Sequence, residues 1–439
     1  MITWFRRLVH ILLLGQVLRH AAILMAHFRV RRFLEATALS TSDLDGFTAN
    51  EDGTKCYVVV PLLREQDILE QSVAHFLSLL DGIDGCLVLV TTDREHAEMP
   101  ENSERETTPI MAARFANGQN VLHLHYPGPD GYKGDQLNFA AEAIARTRVG
   151  DDLHEIMIMI YDADSRPPRN SLRVLLGEVA NHDDVPIFHQ SARFELRRHR
   201  TRSILDAIAG AGALRANRFV VSYEIPRLLN RSPGAGPMRR TLSLVTYGHV
   251  TGHGLAIRLD WLLECPMPAK TQMEDMHYSY ILAVGKTPVV PLRNLDCCGV
   301  PPSLSEQFKQ AERWFQGPGR VLRYRNDERA MRGAVREAVT VSALLICAEW
   351  LSCSVAVPSL LAGLASKDRL TRSLAATFVG IYSLELLSTE LLMNGRHTPR
   401  ASLARFAAFP VANTLFGIAG LSSITKSCLG RSVSVKTEQ

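Results

Sequence analysis

The last quarter of the chain is dominated by three long apolar stretches, at residues 338–365, 373–393 and 406–425. Each has the length needed to cross a hydrocarbon core of about 30 Å. Upstream, the pattern changes to short apolar runs alternating with helical periodicity. Residues 56–62 (CYVVVPL), 86–92 (CLVLVTT), 121–125 (VLHLH) and 155–161 (EIMIMIY) read as buried strands. Residues 66–80 and 135–147 between them show the 3.6-residue period of helices. Strands and helices alternating at this pace predict an α/β fold, with a mostly parallel sheet covered on both faces. Ligands bind such sheets at the carboxyl ends of the strands.

The amino-terminal stretch 8–28 is largely apolar but interrupted by Arg19 and His20, and several arginines flank it. It fits a transmembrane helix or a basic helix lying on an anionic surface equally well. No small-residue cleavage site follows it. Residues 225–241 are rich in Pro, Gly and Arg and predict a loop. The expected organisation is a membrane or interfacial helix at 1–35, a linker at 36–54 and a catalytic domain at 55–330. Transmembrane helices at 331–430 and a polar tail at 431–439 follow. The loop after the second C-terminal stretch carries Arg396, His397, Arg400 and Arg405. Positive-inside reasoning therefore puts that loop, and with it the catalytic region, in the cytoplasm. Glu349, Glu385 and Glu390 lie within the apolar stretches, where a carboxylate is costly in lipid. They should face other helices, an aqueous path or the interface.

Composition changes this picture little. The net charge of +4 over 439 residues gives no reason to expect a nucleic-acid partner. The eight cysteines show no paired CxxC spacing and read as reduced, mostly buried thiols.

The strongest chemical signal is Tyr161-Asp162-Ala163-Asp164-Ser165, directly after an apolar strand. Two carboxylates one residue apart at a strand end can both reach one hard cation. Mg²⁺ or Mn²⁺ held there could neutralise a leaving diphosphate. Asp93 follows the second strand, where a carboxylate can accept hydrogen bonds from a nucleobase or ribose. Lys133 can set a point charge against a phosphate. Gln310, Arg313 and Trp314 sit at i, i+3, i+4 and share a helix face.

These segments, taken in order, resemble the family-2 glycosyltransferases, in particular the membrane synthase branch that includes cellulose, hyaluronan and chitin synthases. CYVVVPLLREQD is similar to that family's opening strand and nucleotide-side loop. Lys133-Gly134-Asp135-Gln136-Leu137-Asn138 resembles its Lys-x-x-x-Leu-Asn element. Gly252-His253-Gly254-Leu255-Ala256-Ile257-Arg258 resembles its acceptor-side glycine-rich turn. Met273-Glu274-Asp275 resembles its Thr-Glu-Asp element, and Gln310-Ala311-Glu312-Arg313-Trp314 matches Gln-x-x-Arg-Trp in full. The resemblance spans residues 55–320. Met273 departs from the family's Thr, and His277 stands where many members carry another acid.

The resemblance implies a GT-A-type domain that moves a sugar from a nucleotide sugar, with uridine as its base, by single displacement with inversion. It implies Asp275 as the general base, and Asp162 and Asp164 as ligands of Mg²⁺ or Mn²⁺. Asp93, Lys133, Asp162 and Arg313 would bind the donor. His253, Gln310 and Trp314 would meet the acceptor. The expected partners are the donor, a glycan or lipid acceptor and the lipids of the membrane, with the plasma membrane as the expected location. A polysaccharide product, a glycolipid product and a catalytically silent membrane scaffold are the competing readings.

Overall fold

The computed structural model describes residues 2–36, 53–95, 106–129, 131–196, 204–248, 250–394 and 399–429. Most of the expected linker at 36–54 and the tail at 431–439 lie outside the described residues.

Its strands are β1 (Lys55–Pro61), β2 (Gly85–Thr92), β3 (Val121–Tyr126), β4 (Ile156–Ile160), β5 (Ile187–Glu195), β6 (Leu255–Arg258) and β7 (Val290–Gly299). The helices begin with α1 (Ile2–Glu35), α2 (Leu69–Leu79), α3 (Thr108–Phe115), α4 (Lys133–Thr147) and α5 (Ser171–Asn181). Next come α6 (Ile204–Phe219), α7 (Ile225–Arg231), α8 (Pro237–Ser243), α9 (Leu259–Glu264) and α10 (Glu274–Val284). The chain closes with α11 (Leu304–Gly319), α12 (Val321–Tyr324), α13 (Ala334–Leu364), α14 (Arg369–Asn394) and α15 (Pro399–Cys428).

The fold is α/β. The strands form one sheet in the order β3-β2-β1-β4-β6-β5-β7, parallel except for β6, which runs antiparallel to β4 and β5. Successive residues of the central strands point to opposite faces, and both faces are dry. Val58, Val60, Leu87, Leu89, Met157 and Met159 pack with Leu69, Val73 and Phe76 of α2. Tyr57, Val59, Val88, Val90, Ile158 and Ile160 pack with Leu137, Ala140 and Ile144 of α4. From β1 the chain winds outward through β2 and β3, then returns to β4 on the other side of β1. The β1/β4 boundary is therefore a topological switch point, where a crevice opens at the strands' carboxyl ends.

The sequence pattern picks out β1 to β4 but not β5 and β7. Polar residues interrupt the hydropathy of these two, yet several are buried, and Gln190 and Asn294 are held by Ser171 of α5 and by Tyr161. Gln190 donates to Ser171 Oγ at 3.0 Å, Asn294 donates to the same oxygen at 2.8 Å, and Tyr161 donates to Gln190 Oε1 at 2.5 Å. The expectation of a loop over 225–241 is corrected. That segment contains α7 and α8, each with Pro at an N-terminal position where its missing N–H costs nothing.

Arg6–Glu35, Ala334–Leu364, Arg369–Asn394 and Ser402–Cys428 are long and apolar enough to cross a membrane. The C-terminal three correspond to the stretches read from the sequence. The first is part of α1, which packs along α14 in the same direction. His10 meets Asp368 at 2.7 Å near one end, and Val30 packs with Met393 near the other. The acidic residues in these helices all find partners. Glu349 pairs with Arg19 and accepts from Tyr223 at 2.7 Å. Glu385 pairs with His20 at 2.6 Å and Arg218 at 2.7 Å, and Glu390 pairs with Arg405 at 3.0 Å. The eight cysteines are all free.

Candidate active site

A cavity of about 420 Å³ opens at the switch point and runs toward the long apolar helices. Pro61 and Leu62, at the end of β1, and Asp162, Ala163 and Asp164, at the end of β4, line it side by side. The acidic turn is held rigidly from below. Ser165 N donates to Asp162 O at 3.0 Å, and Arg166 N donates to Asp296 Oδ1 at 3.0 Å. The Arg166 guanidinium donates to the carbonyls of Ala163 and Ser165 at 2.9 and 2.7 Å. Asp164 is buried, whereas Asp162 faces the cavity with its side chain 42% exposed.

Lys133, in the first turn of α4, donates to Asp162 Oδ1. Burial works against the charge on Lys133, but Asp162, Glu274 and Asp275 outweigh it and hold the ammonium above its ordinary pKa. Burial would likewise raise Asp162, but Lys133 and His253 keep it below the usual carboxylate range. The start of α4 reaches this point because residue 134 is glycine. A Cβ there would stand 2.3 Å from the backbone oxygen of Pro268.

The turn before β6 supplies the facing wall. Gly254 has φ +65°, and a Cβ there would meet Gln190 O at 2.2 Å, so only glycine fits. Gly252 N donates to Asp275 Oδ2 at 3.2 Å, and Asp275 Oδ1 accepts from Met276 N at 2.7 Å. Asp275 thus lines the cavity from the first turn of α10, where the helix dipole favours an anion. Its neighbour Glu274 is buried. Desolvation, then the Asp275 charge, push Glu274 up to about 7 despite Lys133.

Glu274 therefore makes stability pH-dependent in a defined direction. Its folded pKa lies above its ordinary value of 4.5. The folded state binds this proton more tightly, and that contribution is full below about pH 4.5 and lost as pH rises through about 7. Glu274→Gln, which cannot ionise, should leave the melting temperature nearly unchanged at pH 5 and raise it by about 2–4 °C at pH 8. Thermal unfolding of both proteins across that range checks this. An equal shift at both pH values would rule out ionisation as the cause.

Gln310, Arg313 and Trp314 of α11 all line the same cavity. Burial lowers the Arg313 pKa, opposed by Asp162, Glu274 and Asp275, whose charges reach it. Phe194 bridges the two walls, edge-on to both Trp314 and His253 with centroids 6.4 Å apart in each case. Among the residues singled out from the sequence, the structure brings Lys133, Asp162, Asp164, His253, Asp275, Gln310, Arg313 and Trp314 around one space. Asp93 lies outside that lining. It stands past the end of β2, half-exposed, and pairs with His125 at 2.8 Å.

Asp296 and Cys298, beside His253, and the arginines at the far end escaped the sequence reading. His253 Nδ1 lies 3.5 Å from Asp296 Oδ2 and 3.7 Å from Cys298 Sγ, and Cys298 Sγ lies 3.3 Å from the same Asp296 oxygen. The three form a mostly buried imidazole, carboxylate and thiol cluster with metal-ligand chemistry. Burial, then the Asp296 charge, hold the Cys298 thiol well above its ordinary pKa. Arg215, Arg218, Tyr223 and Arg227 line the far end with Glu349 and Trp350. Arginines set in the largely apolar run from 204 to 231, which holds only Asp206 and Glu224 as acids, were the available signal, since charge in such surroundings marks function or pairing.

No protein-family model matches the chain, and no curated protein matches it. Among solved structures the chain is similar to the mannosyltransferase PcManGT from Pyrobaculum calidifontis in complex with GDP-Man and Mn²⁺. The identity is 14%, the match covers 95% of this chain and 100% of that one, and the TM-score is 0.48.

Proposed function

We propose that the chain is an inverting, metal-dependent glycosyltransferase of the GT-A type, acting at a membrane on a nucleotide-sugar donor. The observation that carries this reading is the convergence of Asp162, Asp164, Lys133, Asp275 and Arg313 on one cavity at the carboxyl ends of β1 and β4. The ordered motif resemblance over residues 55–320 supports it independently.

Asp162 and Asp164 fit a hard divalent cation. Both are carboxylates on a clamped turn, and Asp162 already draws an ammonium to itself. Bound there, Mg²⁺ or Mn²⁺ would supply charge for the departing diphosphate. Lys133 and Arg313 bind and orient the phosphates, Arg313 with two parallel N–H donors. Asp275 takes the proton of the acceptor hydroxyl as its oxygen attacks the anomeric carbon. Trp314 offers a flat face to an acceptor ring, beside Gln310 and His253. Asp93, outside the cavity lining and paired with His125, would meet a uracil or ribose only where the donor extends past β2.

We assign residues 55–330 to catalysis, 331–430 to the membrane and 1–35 to a further crossing, joined by 36–54 and ended by the tail 431–439. The parallel course of α1 and α14 supports this arrangement. It leaves Arg29, Arg31 and Arg32 on the same side as Arg405, which positive-inside reasoning makes the cytoplasmic side of the plasma membrane.

The test is a panel of UDP- and GDP-sugars on the purified full chain with Mn²⁺ or Mg²⁺, reading released nucleoside diphosphate and then the product by mass. Release with one donor, dependent on the metal, is the expected result. A chain that shows neither release nor a nucleotide-dependent thermal shift with Mn²⁺ is a silent scaffold.

A further inference from the structure

The far end of the cavity is built for an anion that the protein itself does not supply. Arg215 and Arg218 stand three residues apart on α6, and Arg227 follows on α7. A single π-type turn, Val220–Glu224, separates the two helices and places Tyr223 between the arginines. Such turns are rare and concentrate at functional sites. Arg218 and Arg227 lie 5.7 and 5.3 Å from the Tyr223 ring centre. Arg215 lies over the ring of Phe416 and 5.5 Å from that of Trp350.

The nearby carboxylates are already engaged. Glu349 pairs with Arg19 and accepts from Tyr223, Glu385 pairs with Arg218 and His20, and Glu224 lies 3.3 Å from His189. Arg215 and Arg227 have no carboxylate at ion-pair distance among the described residues. Arg215 Nε, Arg227 Nη1 and Arg218 Nη2 are buried N–H groups with no acceptor among the described residues. Burial without a close partner brings the Arg215 pKa down to about 10. Leaving several buried guanidinium donors unsatisfied is costly, so the arrangement calls for a ligand with several anionic oxygens.

The surroundings identify what carries that anion. Ile346, Trp350 and Cys353 of α13 and Phe416 of α15 wall this end of the cavity, and both helices are apolar enough to cross a membrane. We propose that Arg215, Arg218 and Arg227 hold the phosphate or diphosphate headgroup of a lipid-linked sugar, and that this amphiphile is the acceptor. The inference rests on the glycosyl-transfer reading, because Asp275 and the two aspartates line the other end of the same cavity. With the phosphate at the arginines, the sugar points toward Asp275. Its hydroxyl oxygen bonds to the donor's anomeric carbon, and the bond from that carbon to the diphosphate oxygen breaks with its electron pair. The hydroxyl proton passes to Asp275.

The test uses the full chain in neutral dodecyl maltoside micelles, with dodecyl phosphate and inorganic phosphate as probes in a thermal-shift titration. Dodecyl phosphate should bind about tenfold or more tightly than inorganic phosphate. Arg215→Gln and Arg227→Gln should each weaken it by about tenfold or more. Arg173→Gln, on α5 outside the cavity, should bind as the wild type does. Two substitutions guard against loss of one variant through misfolding, and size-exclusion elution reports on folding. Equal binding of inorganic phosphate would show a free-phosphate site and overturn the lipid assignment. Undiminished binding in both folded variants would overturn the arginine site. Absence of dodecyl phosphate binding, while nucleoside diphosphate with Mn²⁺ still binds, would remove this inference and leave the glycosyltransferase reading standing. Absence of nucleotide binding in the wild type would remove that reading as well.

Discussion

Asp275→Asn is expected to lower sugar transfer by roughly 10²–10⁴-fold while nucleotide binding stays within about twofold. The asymmetry comes from where the carboxylate sits. Its two oxygens accept from Gly252 N and Met276 N, so the side chain is oriented before any acceptor arrives. An amide keeps the size and can still accept one of these bonds, but it cannot take a proton at neutral pH. Lys133, Arg313 and the turn carrying Asp162 and Asp164 are untouched by the change, so the donor keeps its contacts. Initial rates of product formation, measured beside nucleotide affinity, separate the two quantities. Turnover within about tenfold of wild type would move the base role elsewhere, with the neighbouring Glu274 the first candidate.

Asp164→Ala should abolish the metal dependence of donor binding, with a loss of about 100-fold in affinity at saturating Mn²⁺. Asp164 is 8% exposed and lies on a turn braced by Arg166 and by Ser72, whose hydroxyl donates to Ala163 O. Alanine therefore removes a carboxylate without loosening the backbone around it. Asp164→Asn keeps the volume. An equal loss in both variants traces the effect to charge rather than packing. Chelation of the metal from the wild type should reproduce the defect, and adding chelator to either variant should cost nothing further. A variant that still binds donor more tightly with Mn²⁺ than without it would exclude Asp164 as a ligand.

The central architecture could be read from residue order because its signals are local. Short apolar runs such as CYVVVPL and IMIMIY, bounded by polar segments, read as strands buried on both faces, and an acidic pair directly after one of them stands at the carboxyl end of the sheet. Helix-face spacing was equally direct for Gln310, Arg313 and Trp314. The three apolar helices near the C-terminus followed from length and hydropathy alone.

Other features had no local signal. β5 and β7 are largely buried strands whose polar residues Gln190 and Asn294 both donate to Ser171 of α5, and pairing of this kind leaves no trace in hydropathy. Asp93 had the position of a nucleotide contact in the sequence; it pairs with His125 and is not among the cavity-lining residues, although its neighbour Arg94 is. The raised pKa of Glu274 depends on burial beside Asp275, which depends in turn on how α10 meets the turn before β6.

Sequence alone was sufficient for the identity of β1 to β4, the acidic strand end and the apolar spans, because each depends on neighbours within a few residues. Tertiary packing decided which charges face one another. It drew Lys133 onto Asp162, joined His253 to Asp296 and Cys298, and engaged each carboxylate inside the long helices. It also left Arg215 and Arg227 facing the cavity with no carboxylate at ion-pair distance among the described residues. The energy of a charge depends on everything within several ångströms of it, and residues from distant parts of the chain occupy that volume only after folding.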